Sequence, residues 1–213
     1  MLVPAVVFHE VAHGYVSYRL GDPTAKMAGR LSLNPIKHVD PFGTVLLPLL
    51  LAFGGGPIFG YAKPVPINPG YYRDYRRGML LSGLAGPATN WVLALLSGLL
   101  LRLLLVAEPV LNTGSDASVA GLTWGVTGLY YFAQINLVLM FFNLIPIPPL
   151  DGSRVLPLFL SDNALHSYRR FEQYGLLIFF ALLLLLPSVL GFSPISIYFD
   201  YTVRPLMQIL TGL

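Results

Sequence analysis

The sequence predicts an all-α polytopic membrane protein, with about four transmembrane helices and a re-entrant, partly β-strand region on the cytoplasmic side. Three observations carry that prediction. Apolar residues make up 55% of the 213 and charged residues only 11%, outside the usual soluble range. Three long stretches are nearly free of charge: 78–107 carries only Arg102, and 117–150 and 173–199 carry none. Basic residues gather in 19–37, 63–77 and 154–170, while the 108–116 link holds two acids and no Lys or Arg. By the positive-inside rule the basic regions are cytoplasmic and that link lies outside.

Helix one, residues 1–20, runs inward but is a poorer span because it holds His9, Glu10, His13 and Arg19. It lacks the basic start and small-residue cleavage site of a signal peptide. Only eight residues precede His9, about 12 Å of helix, so the native helix is expected to begin further upstream. Residues 41–62 are apolar yet flanked on both sides by cytoplasmic loops. Pro41, Gly43, Pro48, the Gly54–Pro57 run and Gly60 would interrupt a spanning helix, so a re-entrant element is predicted there. Extended strands are expected around 26–33 and 61–67.

Helix two (78–106) runs outward, with Arg102 near enough to one end to snorkel. Helix three (119–145) returns inward and stops at Pro146. Helix four (171–190) runs outward again. In the tail, apolar positions at Phe199, Val203, Leu206 and Ile209–Leu210 suggest a surface-lying or packed helix. No internal repeat and no soluble domain is visible. The chain reads as one membrane domain, 1–213, with a core over 1–160 and an added helix and tail over 171–213.

The chemistry begins at His9-Glu10-Val11-Ala12-His13. On a helix His9 and His13 lie one turn apart on one face, where two imidazoles can share a metal ion. Glu10 projects from a neighbouring angle, placed to take a proton from a water at that metal. With four histidines and three glutamates in the chain, chance gives this pattern in roughly one such sequence in a thousand. The absence of cysteine excludes thiolate sites, so a metal here is held by His and carboxylate. A third ligand is needed, and Asp151 is on the matching side, after the broken run Asn143-Leu-Ile-Pro-Ile-Pro-Pro-Leu. Gly152 would let the chain turn tightly beside it. The residues alone leave a second reading of Asp151 open, as N-cap of the 153–160 segment. Asn90 and Asn143 are either interhelical glue or substrate and oxyanion contacts. His38 and His166 sit among polar loop residues and are expected outside the site.

His9-Glu10-Val11-Ala12-His13-Gly14 together with Asn143…Pro146…Leu150-Asp151-Gly152 resembles the site-2 protease family of intramembrane zinc metalloproteases. The likeness extends through 20–26, 29–35, 38–41 and 62–68, and through Gly86-Pro-Ala-Thr-Asn90, covering residues 4–155. It implies zinc-dependent hydrolysis of peptide bonds in or near transmembrane segments of membrane proteins. His9, His13 and Asp151 would hold one Zn2+ per chain, with Glu10 as base. Asn143 or Asn90 would assist the developing oxyanion. A strand near the Gly54–Gly60 turn would pair with the unwound substrate. The short 107–118 link leaves no room for a PDZ domain, and no CBS domain follows helix four, which points to the minimal prokaryotic type. The expected setting is a prokaryotic plasma membrane, multi-pass, with the site opening toward the cytoplasm. Expected partners are the lipid bilayer and a membrane-protein or transmembrane-peptide substrate. Nucleic acid is excluded by the scattered basic residues, and a homo-oligomer stays open. Two alternatives remain at this stage: a catalytically inactive member that binds membrane proteins, and a membrane zinc transporter.

Overall fold

The computed structural model describes residues 1–53 and 62–213, and every regular element among them is helical. Six helices organise the molecule: α1 (Leu2–Arg19), α2 (Tyr75–Leu111), α3 (Asp116–Asn143), α4 (Asp162–Glu172), α5 (Gly175–Leu190) and α6 (Pro194–Thr211). Local chemistry sets their starts. Asp74 accepts the Arg77 N–H ahead of α2, Ser115 the Ser118 N–H ahead of α3, and Ser193 the Ser196 N–H ahead of α6. Past Asn143, the prolines at 146, 148 and 149 keep α3 from continuing, and a 3-10 segment, Asp151–Leu158, follows.

Among the described residues two helices, α2 and α3, are long and apolar enough to cross a membrane. A third span exists only if α4 and α5 count as one broken helix bent by 67°. The expected four spans are therefore corrected to two or three. Gly175 lies so close to Pro148 that a Cβ there would meet the proline ring at 2.4 Å. Helix one exists as predicted, but its polar residues leave it short of the criteria for a span, and its His9, His13 and Ser17 face is buried. Outward from α2 point Leu96, Leu99, Leu100, Leu103 and Val106, an apolar face suited to lipid.

The strands expected at 26–33 and 61–67 do not form among the described residues. Thr24–Met27 is a short helix, and 30–34 and 62–68 have no regular structure. Their backbone groups find side chains instead. The Val65 N–H donates to Glu10 at 2.8 Å and the Asn68 N–H to Asp22 at 2.7 Å. Arg30 donates to the Lys63 carbonyl at 2.6 Å. Of the predicted re-entrant stretch, Pro41–Leu46 and Leu47–Phe53 are helical, and the Gly54–Gly60 turn lies outside the described residues.

The tail resolves to the packed alternative. Val203 and Met207 of α6 are buried with Ala94 of α2 and Ala133, Leu137 and Met140 of α3. Arg102, expected to snorkel, donates to the carbonyls of Leu210 (2.9 Å) and Ile209, so a cation caps the C-terminal end of α6.

Candidate metal centre

Three elements meet at one buried point. α1 contributes His9 and His13, one turn apart; α2 passes behind them; the turn after α3 brings in Asp151. The Nε2 atoms of His9 and His13 lie 3.0 Å apart, and the Asp151 Oδ2 is 3.1 Å from the first and 3.0 Å from the second. These three residues, all buried, form a group that could hold a metal ion.

The outer nitrogens of both rings identify what faces inward. His13 Nδ1 donates to the Ser82 carbonyl at 2.6 Å, and His9 Nδ1 donates to Asn90 Oδ1 at 2.5 Å. An imidazole with its proton on Nδ1 presents a lone pair at Nε2. Two lone pairs and a carboxylate oxygen thus face one another, an arrangement that repels unless a cation sits among them. Ligands about 2.0 Å from a tetrahedral zinc stand about 3.3 Å apart, close to the observed separations. Space is kept for such an ion as well. A Cβ on Gly86 would lie 2.3 Å from His13 Nε2 and 2.5–2.6 Å from His9. The donor set and the space both fit zinc.

Asn90 is fixed in its turn. Its amide donates to Asn136 Oδ1 at 2.8 Å and lies 3.5 Å from the Ala5 carbonyl, and Asn136 donates to the Phe132 carbonyl at 2.8 Å. Both asparagines are fully buried. Asn90 thus ties α2 to α3 and turns its side-chain oxygen onto His9. A cavity of about 120 Å³ beside the metal-site residues is lined by Glu10, Val65, Ile67, Asn143, Pro149 and Arg154, among others. Asn143 commits an amide hydrogen to the Leu139 carbonyl and keeps a second.

Asp151 heads the 3-10 segment with no side-chain cap bond; its carboxylate goes to the histidines, and its Oδ1 lies 3.5 Å from Arg154 Nη1. Gly152 is required by close approach rather than by a left-handed backbone. A Cβ there would fall 2.3 Å from the Leu144 carbonyl, and its φ is not positive. His38 is buried elsewhere, bonded to the Ser32 carbonyl at 2.7 Å. Sequence reasoning passed over Ser82, Asn136 and Arg154, and quoted Gly86 in a motif without giving it a role at the site. A glycine inside a helix at 86 and an amide inside an uncharged run at 136 were the available signals.

Comparison with known proteins agrees with this geometry. Residues 1–186 match Peptidase family M50. The chain is 38% identical over 182 residues to the "Putative zinc metalloprotease YwhC" of Bacillus subtilis, covering 85% of this chain and 77% of that protein. It is 30% identical over 181 residues to the "Putative zinc metalloprotease Rip2" of Mycolicibacterium smegmatis, covering 84% of this chain and 63% of that one. With the "Zinc metalloprotease MJ0392" of Methanocaldococcus jannaschii it shares 27% identity over 163 residues, 76% of this chain but 34% of that one. No solved structure matches the chain.

Proposed function

The chain belongs to Peptidase family M50, the site-2 protease family, and from that membership we propose a zinc-dependent endopeptidase that cleaves membrane proteins in or near their transmembrane segments. The observation that carries this reading is the convergence of the His9 and His13 lone pairs and the Asp151 carboxylate beside a cavity that Glu10 borders. His9, His13 and Asp151 would hold one zinc. Bound there, zinc supplies a Lewis acid that makes water acidic near neutral pH and polarises a carbonyl.

The chain's own residues do the rest. Glu10 borders the cavity, its Oε2 anchored by the Val65 N–H. It accepts the proton of the attacking water as oxygen bonds to the scissile carbon, and returns it to the amine when the C–N bond breaks. Asn143 directs its spare amide hydrogen at the developing oxyanion. Ser82 and Asn90 keep both imidazoles in the ligating tautomer. The cavity is roomy enough to admit water beside Glu10. The protein works in a prokaryotic plasma membrane, with this cavity opening to the cytoplasmic side.

Glu10→Gln tests the reading, because glutamine can still accept the Val65 N–H but cannot take a proton. In detergent, against a transmembrane peptide, the variant is expected to keep one zinc per chain and to lose cleavage by about 10³-fold. Cleavage at the wild-type rate, or wild-type protein without zinc, overturns it. Zinc flux into liposomes would transfer the site to a transporter.

A further inference from the structure

We propose that the hollow between the last turns of α1 and the 26–37 loop binds the phosphate headgroup of an anionic phospholipid. An open cavity of about 450 Å³ lies there, with Tyr15, Tyr18, Lys26, Leu31, Ser32 and Lys37 in its wall and no acidic side chain. Its cations lean on neutral groups. Lys26 Nζ stands 4.6 Å from the centroid of the Tyr18 ring and donates to the Tyr18 hydroxyl at 2.8 Å. Lys37 Nζ donates to the Gly29 carbonyl at 3.2 Å, and Arg19, beside the cavity, donates to the Tyr15 hydroxyl at 3.2 Å. None of the three forms a salt bridge among the described residues. Lys26 and Lys37 thus carry unpaired charge on one concave surface, with Arg19 bonded to a tyrosine of its wall, which attracts an anion. Both tyrosine hydroxyls accept from these cations and keep their own protons to donate.

The position of the hollow selects a lipid as the source of that anion. Ser17 bonds the Tyr72 hydroxyl at 2.8 Å and Asp22 takes the Asn68 N–H at 2.7 Å. These bonds hold the end of α1 level with Tyr75, where the membrane-crossing α2 begins. Arg76 and Arg77 follow there, and basic residues at the end of a membrane helix belong among the headgroups. Around the hollow, Met27 is 81% exposed, Ile36 77% and Leu33 55%, although none belongs to a spanning helix. Apolar tips beside lysines at the edge of a membrane belong in the headgroup–acyl boundary. A phosphate between Lys26 and Lys37 would leave its acyl chains over Leu31 and these tips. The site shares no residue with the metal cavity and stands independently of the proteolytic reading.

Native mass spectrometry of the full chain in micelles, titrated with phosphatidylglycerol or phosphatidylcholine, tests this. The wild type is expected to hold one phosphatidylglycerol in preference to phosphatidylcholine by roughly 25-fold, since each lysine near an anionic surface contributes about fivefold. The doubly substituted chain, Lys26→Ala with Lys37→Ala, loses that preference. Lys26→Arg with Lys37→Arg keeps it, which separates lost charge from lost folding. Equal retention of the two lipids by the wild type overturns the proposal, as does an unchanged preference in the alanine chain. Displacement of phosphatidylglycerol by millimolar inorganic phosphate also overturns it, by assigning the hollow to a soluble anion.

Discussion

Gly86 shows how much of a metal site depends on a residue that touches no ligand. Its missing Cβ leaves open the space on which His9 Nε2 and His13 Nε2 converge. Gly86→Ala places a methyl group 2.3–2.6 Å from those nitrogens, so the imidazoles must swing away from each other. The expected result is a helical protein whose zinc affinity falls by roughly a hundredfold, the upper end of losses from outer-shell changes. Zinc content after dialysis, with far-UV circular dichroism alongside, measures both; full zinc in the alanine variant would refute the assignment. The three residues that converge were legible in the sequence. His9 and His13 follow directly from helical spacing, and Asp151 is a charge that ends a long uncharged run. Gly86 was not, because a helical glycine has many causes and only the path of the neighbouring helix distinguishes them.

At the scale of elements, the site depends on how α1, α2 and α3 are registered. His9 on α1, Asn90 on α2 and Asn136 on α3 form one buried chain of hydrogen bonds. Asn136 Oδ1 receives the Asn90 amide, which turns the Asn90 oxygen toward His9. Asn136→Leu keeps the volume and apolar character suited to α3 but removes that acceptor. Asn90 is then free to flip and offer N–H to a ring nitrogen that itself carries hydrogen. Zinc affinity is expected to fall about tenfold, and competition with a chelator of known affinity reads it. Unchanged affinity would reduce Asn136 to helix packing alone. The helices were readable because uncharged length and 3.6-residue periodicity are properties of a segment by itself. The strands were misread because extended backbone becomes a strand only through a partner. At 62–68 the partners are the carboxylates of Glu10 and Asp22, a choice made by tertiary structure.

For the whole molecule, the sequence overcounted spans because it weighed each segment without knowing what it packs on. α1 needs no lipid on the face that carries its histidines; α2 and the Asp151 turn cover it. A metal held by His9, His13 and Asp151 would be a fastener as well as a reactive centre, since α1 and the residues after α3 would be joined across it. Zinc bound only by the folded chain stabilises it by about 4 kcal/mol at a thousandfold excess over Kd. For a chain of this size that corresponds to roughly 10 °C in melting temperature. Stripping zinc with a chelator at pH 7 should lower the transition by that amount, and restoring zinc should recover it. Asp151→Ala, which lacks the third ligand, should melt at one temperature with or without zinc. Identical melting of the stripped and loaded wild-type chains would mean that α1 and the Asp151 turn are fixed by packing alone, with the metal adding chemistry but no cohesion.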